Sequence, residues 1–218
     1  MTFSFGKRQV LNVRHLAIPK GAIVAVIGEN GAGKSTLSLC LAGVLKHHGT
    51  IRIEGKTVPV RKLPQQAYLV MQEAGHQMFS DSVQGEVMLN QTELTEGQAK
   101  HALSALGLSG LEERHPASLS GGQQQRLSIA VAQCSHRKLM LYDEPTSGQD
   151  GGNLLNTVEM IRHTNETAVC SVIVSHDPEL ILRCATHILH IHGGEVKRFL
   201  PMTEKGAAYM WKVFRRNA

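Results

Sequence analysis

The feature that most constrains the fold is a glycine-rich loop placed directly after a run of six apolar residues. The run, residues 22–27, reads Ala-Ile-Val-Ala-Val-Ile, which is typical of a strand buried on both faces. Residues 28–35 follow it and fit the pattern Gly-x4-Gly-Lys-Ser/Thr, and a helix is expected from about residue 34 to residue 45. A strand, a loop of this kind and a helix in succession predict an α/β fold with a phosphate-binding loop.

The residue types in this loop suit the binding of phosphates. Glycines let the backbone curve closely around an anion, so that successive N–H groups point at it. The helix that begins near Lys34 adds the partial positive charge of its N-terminus. Lys34 is expected to bridge the outer phosphates, and the Ser35 hydroxyl is expected to bind Mg²⁺. The predicted nucleotide ligands in this segment are Gly28, Asn30, Gly31, Ala32, Gly33, Lys34, Ser35 and Thr36.

The rest of the chain alternates between strand-like and helix-like segments. Strands are predicted at residues 10–18, 50–53, 67–71, 139–142 and 168–174, and in a final hairpin of 186–191 with 195–199. Helices are predicted at 99–106, 123–131, 153–162, 178–184 and 203–216. This alternation indicates a mostly parallel sheet. The polar, helical stretch at about 73–135 is interpreted as a subdomain inserted into a core of about 1–72 and 136–218, within a single domain 1–218.

Composition adds a few limits. No stretch approaches 18 uncharged apolar residues, and the first residues lack the apolar core of a signal peptide, so a cytoplasmic chain is expected. The formal charge of +5 gives weak support for proximity to a membrane. The four cysteines form no Cys-x-x-Cys pair and lie in or near apolar stretches, which favours buried free thiols over disulfides or zinc: Cys40, Cys134, Cys170 and Cys184.

Five further motifs follow the glycine-rich loop. Residues 119–126 read Leu-Ser-Gly-Gly-Gln-Gln-Gln-Arg and resemble the signature motif of ABC (ATP-binding cassette) ATPases. Residues 139–145 resemble the Walker B strand of that family, residues 147–150 its D-loop, and residues 174–177 its switch-histidine loop. Gln72, at the end of a predicted strand, resembles the Q-loop glutamine. The six motifs occur in the family's order from residue 28 to residue 177.

The resemblance implies an α/β fold of the P-loop NTPase ABC cassette type, with a mostly parallel core sheet, an N-terminal antiparallel β part and an inserted helical subdomain. It implies ATP and Mg²⁺ as cofactors. Asp143 and Glu144 end a buried strand, where the first can hold the Mg²⁺ shell and the second can polarise the attacking water. The residues expected to be catalytic are Glu144, His176, Gln72 and Lys34, and the expected metal ligands are Ser35, Gln72 and Asp143.

The family also pairs two cassettes face to face, as a homodimer or a heterodimer. Ser120, Gly121 and Gly122 would then meet the nucleotide held by the partner cassette, and Asp150 would help to couple the two sites. Phe5 is expected to stack on adenine, since stacking on a ring face needs no hydroxyl. Phe3 and Arg8 are the alternatives for that position.

The segment after Gln72 resembles that of energy-coupling factor ATPases, which serve vitamin and cobalt/nickel importers. Their pattern is acidic-x-Gln-Leu-Phe, and here Gly75 and Met78 replace the acid and the Leu. A transmembrane coupling subunit is therefore expected to bind near Gln77, Met78 and Phe79. The alternative is an ordinary amphipathic piece of the helical subdomain.

Other features leave alternatives open. The chain begins close to the adenine position, ends soon after the core and has Gln149 where the D-loop usually has Leu, which suggests half of a duplicated ATPase or one partner of a heterodimer. His187, His190 and His192 could suggest a metal site, but a polar edge strand is favoured. The expected function is an ATPase subunit at the cytoplasmic face of the membrane, with no nucleic-acid partner. The alternatives are another ABC importer or exporter, a soluble ABC ATPase, or a cassette that binds ATP without turnover.

Overall fold

A computed structural model describes residues 1–146 and 151–217. Its strands are β1 (Thr2–Phe5), β2 (Arg8–Asn12), β3 (Ile23–Ile27), β4 (Ile51–Ile53), β5 (Lys56–Val58), β6 (Ala67–Val70), β7 (Leu139–Asp143), β8 (Cys170–Val174), β9 (His187–His192) and β10 (Glu195–Pro201). Its α-helices are α1 (Lys34–Leu41), α2 (Val83–Met88), α3 (Glu96–Ala105), α4 (Gly121–Cys134), α5 (Gly151–Thr167), α6 (Pro178–Cys184) and α7 (Glu204–Asn217).

Six strands form the central sheet in the order β10-β9-β3-β8-β7-β6. All neighbours from β9 to β6 pair in parallel, and only β10 pairs antiparallel, with β9. Every residue of β3 is buried, as the unbroken apolar run predicted. Two antiparallel pairs lie outside this sheet, β1 with β2 and β4 with β5. The mostly parallel sheet and the N-terminal antiparallel part are thus confirmed.

Helices cover both faces of the sheet. On one face α1 packs over a cluster of buried residues that includes Val24, Leu141 and Val172. On the other face Met140 and Tyr142 of β7 meet apolar residues of α2 to α6 in a larger cluster. Met210 and Val213 of α7 close a third cluster against β3, β9 and α6. The stretch between β6 and β7 contains α2, α3 and α4, where the sequence predicted the helical subdomain.

Several predicted boundaries were wrong. The strand predicted at 10–18 is shorter and begins earlier, since β2 runs from Arg8 to Asn12 and residues 13–18 form no strand, and the chain also has an earlier strand, β1, that pairs with it. Helix α1 ends at Leu41 rather than near residue 45, and Gly43 follows with a φ of +76°. Helix α3 starts at Glu96, where a Thr95–Gln98 capping box fixes its beginning. Strand β9 is not an edge strand, since it lies between β3 and β10.

The turn between β9 and β10 is joined to the glycine-rich loop and to β2. Gly194 N–H donates to the Ala32 carbonyl at 3.0 Å, and the Gly194 carbonyl accepts from Asn12 N–H at 2.8 Å. A Cβ on Gly194 would lie 2.1 Å from the Val10 carbonyl oxygen. A substitution at this position must therefore move backbone that supports the loop.

Gly194→Ala is expected to lower the free energy of unfolding by about 1–3 kcal/mol more than Gly193→Ala does. Both glycines have a positive φ, +77° and +56°, so each substitution carries a cost of about 1–2 kcal/mol for an L-residue in that region. The position at Gly193 is sterically open within 4 Å, which makes it the matched control. Denaturant unfolding of the two variants measures the difference, and equal losses would contradict the backbone contact.

Candidate nucleotide site

A cleft of about 640 Å³ lies beyond the carboxyl ends of β3, β7 and β8. This is the edge at which parallel α/β sheets place their ligands. Most of the residues predicted to bind or act on a nucleotide line it together. The lining consists of Phe5, Arg8, Val10, Asn30, Gly31, Gly33, Lys34, Ser35, Thr36, Gln72, Asp143, Glu144, Val174 and His176.

Close backbone packing shapes the glycine-rich loop. Gly28 has a φ of +148°, and a Cβ there would lie 2.1 Å from the Ile191 carbonyl oxygen of β9. Gly33 has a φ of +100°, and its Cβ would lie 2.8 Å from the Leu11 side chain of β2. Any other residue at these two positions would push the loop away from both strands. The loop thus passes tightly between β2 and β9 before it opens α1.

The Lys34 side chain curls back over the loop that precedes it. Its Nζ donates to the carbonyls of Gly28 and Glu29, at 2.8 and 2.9 Å, and the residue is only 7% exposed. Burial lowers the pKa of Lys34, and the nearby carboxylates of Glu144 and Asp143 oppose that effect. An ammonium has three N–H donors, so one remains for an anion in the cleft.

Ser35 and Asp143 face each other across the cleft floor. The Ser35 hydroxyl donates to Asp143 Oδ1 at 3.2 Å. Burial raises the pKa of Asp143, while the Ser35 hydrogen bond and the Lys34 charge act in the opposite direction. A hydroxyl and a carboxylate side by side are the oxygen ligands that Mg²⁺ prefers, so the two residues fit a magnesium site.

Glu144 is held at the end of β7 by the neighbouring strand. Its backbone adopts a φ of +48°, which is uncommon for a residue other than glycine, and its N–H donates to the Val174 carbonyl at 2.8 Å. Glu144 Oε2 accepts from the Ser175 hydroxyl and the His176 N–H, at 3.4 and 3.3 Å. His176 Nε2 lies 3.7 Å from Glu144 Oε1. Burial is the main cause of the raised pKa of Glu144.

Ser175 is a site residue to which the sequence assigned no role. It is fully buried, and its hydroxyl both donates to Glu144 and accepts from Asp177 N–H at 3.0 Å. Asp177 in turn caps α6 through the N–H groups of Glu179 and Leu180. The position inside the switch-histidine motif was the available signal. A hydroxyl next to the histidine can orient a carboxylate only if β7 and β8 are neighbours, which the sequence alone does not establish.

Phe5 and Gln72 both line the cleft. Phe5 is 59% exposed, and its ring meets the buried Phe3 ring edge to face at a centroid distance of 4.8 Å. Of the two alternatives for the stacking position, Arg8 lines the cleft and Phe3 is buried beneath it. Gln72 follows β6 and also lines the cleft.

The signature residues do not lie in this cleft. Ser120 caps α4, and a Ser120–Gln123 capping box satisfies the first turn of that helix. A Cβ on Gly121 would meet no atom within 4 Å, so the surface there is open to another molecule. Ser120, Gly121 and Gly122 therefore do not complete the site within the same chain, while Asp150, with the rest of residues 147–150, lies outside the described residues.

The histidines of β9 are all engaged by neighbouring side chains. His187 stacks on Phe199 at a centroid distance of 5.2 Å. His190 Nδ1 lies 2.8 Å from the Tyr209 hydroxyl, and His192 Nδ1 lies 3.6 Å from Glu29 Oε1. Within residues 1–146 and 151–217, no cluster of three or more His, Cys, Asp or Glu side chains could hold a metal ion. The four cysteines are free thiols, and three of them are buried.

Comparison with known proteins identifies the family. The model of a family described as ABC transporter matches residues 11–147, more than half of the chain. The chain belongs to the ABC transporter family. An ABC transporter ATP-binding protein of Treponema denticola is 35% identical over 201 residues, which cover 92% of this chain and 41% of that protein. The chain thus spans about two fifths of that relative's length.

Two other ABC proteins are similar over most of this chain. The energy-coupling factor transporter ATP-binding protein EcfA of Methanothermobacter thermautotrophicus is 33% identical over 194 residues, which cover 84% of this chain and 62% of that protein. The structure of CbiO1 from Clostridium perfringens, described as part of the ABC transporter complex CbiONQ, superposes with a TM-score of 0.78 at 26% identity. That match covers 99% of this chain and 92% of CbiO1, which confirms the predicted cassette fold. In the described part of this ABC protein, no helix is long and apolar enough to cross a bilayer.

The raised pKa of Glu144 predicts how stability depends on pH. A carboxyl group whose pKa rises on folding stabilises the native state below its unfolded pKa, and that stabilisation is lost as the pH rises through its folded pKa. Glu144→Gln, which stays neutral, is therefore expected to raise the melting temperature at about pH 7–8 and to lose that advantage below about pH 4. Glu113→Gln, at an exposed carboxylate, is the control. A gain that does not change with pH would contradict the explanation.

Proposed function

We propose that this chain hydrolyses ATP as one cassette of an ABC transporter. The observation that carries the proposal is the convergence in a single cleft of five polar side chains from the start of α1, the end of β7 and the end of β8. These side chains are Lys34, Ser35, Asp143, Glu144 and His176. A degenerate cassette that binds ATP without turnover is disfavoured, because the proposed base, the metal ligands and the phosphate-binding lysine are all present and in contact range.

The loop and Lys34 bind the phosphates of ATP in this proposal. The N–H groups of the loop and the N-terminus of α1 lie next to the space that the cleft provides for an anion. The remaining Lys34 N–H can donate to a phosphate oxygen while its other two donors keep the loop closed. Phe5 offers an exposed ring at the rim, where an adenine can stack.

Ser35 and Asp143 hold Mg²⁺ in this proposal, with Gln72 as a third ligand. When bound, Mg²⁺ neutralises negative charge on the phosphates. The Ser35 hydroxyl can turn from Asp143 toward a cation because a hydroxyl has both a donor and acceptor lone pairs. The partly buried Asp143 carboxylate then gains an opposite charge, which stabilises its ionised form.

Glu144 acts as the general base toward the attacking water. Its raised pKa makes the carboxylate more basic than an exposed glutamate, which favours acceptance of a proton. Ser175 and the His176 N–H fix Oε2, so Oε1 is the oxygen directed to the reaction. The His176 ring, 3.7 Å from Oε1, is positioned to orient the water and to donate to the γ-phosphate.

A second cassette completes the site in this proposal. Ser120, Gly121 and Gly122 lie at an exposed helix start outside their own cleft, which is the arrangement expected if they serve a partner's nucleotide. The partner is a second copy or a homologous cassette, and Asp150 would couple the two sites. The Treponema relative is more than twice as long as the matched segment, a length with room for two cassettes in one chain.

We further infer import of energy-coupling factor type, with a vitamin or metal ion as cargo. The similarity to EcfA and to CbiO1 supports this reading. The chain would then lie peripherally at the cytoplasmic face, with a transmembrane coupling subunit docked near Gln77, Met78 and Phe79. The alternative is the ATPase of another ABC importer or exporter, or a soluble ABC protein. Binding to membranes that contain the coupling subunit separates a transporter subunit from a soluble protein.

Glu144→Gln is expected to lower kcat for ATP hydrolysis about 10²- to 10⁴-fold, since it removes the proton acceptor. The affinity for Mg-ATP is expected to remain, because the phosphate and metal ligands are unchanged. Phosphate release by the purified cassette pair, together with equilibrium binding of labelled ATP, measures both quantities. Glu113→Gln is the control. An undiminished rate in the Glu144 variant would overturn the assignment of the base.

Phe5→Leu is expected to weaken ATP binding about 5- to 30-fold, because it keeps an apolar side chain but removes the ring that stacks on adenine. Phe5→Tyr keeps the ring and is expected to bind as tightly as the wild type. Equilibrium dialysis with ATP measures the two affinities, and inorganic triphosphate serves as a ligand without a base. Loss of triphosphate binding in the Leu variant would point to a folding defect rather than to stacking.

A further inference from the structure

Phe79 is the most exposed large apolar side chain in the segment that follows β6. It is 79% exposed, although the residues on both sides of it are anchored. Met78, just before it, packs against the larger core cluster. Aromatic side chains are enriched at protein interfaces and among the residues that contribute most to binding, so an exposed ring on a hydrogen-bonded backbone can serve as an anchor for a partner. The contacts that keep it outward therefore matter for docking.

Gln77 anchors the segment on its N-terminal side. Its Oε1 accepts from Met71 N–H at 2.8 Å, and its Nε2 donates to the Leu69 carbonyl at 2.7 Å. The oxygen and the nitrogen of this side-chain amide thus both bond to backbone at the end of β6, directly before Gln72. Of the three residues predicted to contact a coupling subunit, Gln77 faces the sheet and Met78 the core, which leaves Phe79 as the outward anchor.

Glu86 anchors the segment on its C-terminal side. This residue of α2 is only 4% exposed, and its Oε2 accepts from Phe79 N–H at 2.8 Å and from Ser80 N–H at 2.7 Å. Two backbone donors on one buried carboxylate oxygen form a charge-assisted pair of hydrogen bonds. Burial, together with the nearby negative charge of Glu86, raises the pKa of Tyr68 to about 12. The geometric contacts of Glu86 are thus the two backbone N–H groups of Phe79 and Ser80.

Helix α2 is held in place by hydrogen bonds at its N-terminus, which fixes the position of Glu86. The Ser82 hydroxyl caps the helix by accepting from Gly85 N–H at 3.0 Å. The N–H groups of Val83 and Gln84 donate to the carbonyls of Arg114 and Glu112. Gly85 lets the loop approach the helix, since a Cβ there would lie 2.4 Å from the Ser80 hydroxyl. The absence of a side chain at Gly85 therefore lets residues 79 and 80 pack against the first turn of α2.

We propose that Glu86 is a positioning residue that holds Phe79 outward for an apolar face of the membrane-embedded coupling subunit. The inference rests on the proposed function, because it takes that subunit as the occupant. Glu86 touches no partner and acts only through the backbone of Phe79 and Ser80. Gln77 joins the same segment to the strand end before Gln72, so the segment that carries Phe79 is linked by hydrogen bonds to the backbone that leads into the cleft.

The test uses inside-out membrane vesicles from source cells that lack this chain, with protein-free liposomes of the same lipids as the comparison. Sedimentation measures the apparent Kd of the full chain for each. The wild type is expected to bind the vesicles and not the liposomes. Phe79→Ala is expected to weaken vesicle binding at least about tenfold, as for a buried aromatic anchor. Equal binding to liposomes, or no effect of Phe79→Ala, would overturn the docking itself.

Glu86→Gln and Glu86→Ala test the positioning role. Loss of the charged acceptor is expected to weaken vesicle binding about three- to tenfold in Glu86→Gln and further in Glu86→Ala. Glu93→Gln removes an exposed charge from the same subdomain and is expected to have no effect. Hydrogen exchange provides a second readout: the Phe79 and Ser80 amides are expected to exchange at least about tenfold faster, with the helices unchanged.

Gly85→Ala gives an independent variant in case the Glu86 variants do not fold. Its Cβ would lie 2.4 Å from the Ser80 hydroxyl and 2.9 Å from the Ser82 hydroxyl, so it pushes the loop away from α2 while keeping the Glu86 side chain, and the same loss of vesicle binding is expected. If Phe79→Ala weakens binding while the Glu86 and Gly85 variants bind normally, the docking proposal stands and the positioning inference is overturned. Faster exchange throughout α2 to α4 would also overturn it, because that result indicates general destabilisation.

Discussion

The close packing of the phosphate loop between two distant strands is the constraint on which the site depends. Gly28 rests against the Ile191 carbonyl of β9, and Gly33 rests against Leu11 of β2. Gly194 closes the arrangement with a hydrogen bond to Ala32. Backbone packed this closely limits how far the loop can move, which favours a loop conformation that is set before a ligand binds. The conformation of an eight-residue loop is thus determined by residues near both ends of the chain.

The same carboxyl edge of the sheet brings groups of opposite charge together at short range. Lys34 is desolvated beside the carboxylates of Asp143 and Glu144, whose pKa values are raised by the same burial. Burial therefore shifts the pKa of each group in the direction that favours its neutral form. At least one neighbouring group opposes each of these pKa shifts. An environment of this kind suits a site that must hold a highly charged ligand and transfer a proton.

The proposed docking segment, residues 77–80, is also held in one conformation by hydrogen bonds to its backbone and side chains before any partner binds. Gln77 and Glu86 satisfy backbone groups at the two ends of a short segment and leave one aromatic ring in solvent. The segment begins at the strand end that carries Gln72, which lines the cleft.

The sequence by itself determined the family, the parallel sheet and most cleft residues, because those features depend on local patterns. A buried apolar run and the glycine-rich loop after it define a strand, a loop and a helix without reference to the rest of the chain. It did not determine the end of β2, the central place of β9 or the role of Ser175, since each depends on which strands are neighbours. The burial of the Glu86 carboxylate likewise could not be predicted from the sequence. Only the tertiary structure decides which backbone amides face a side chain six or seven residues away, because that depends on how the loop folds back onto α2.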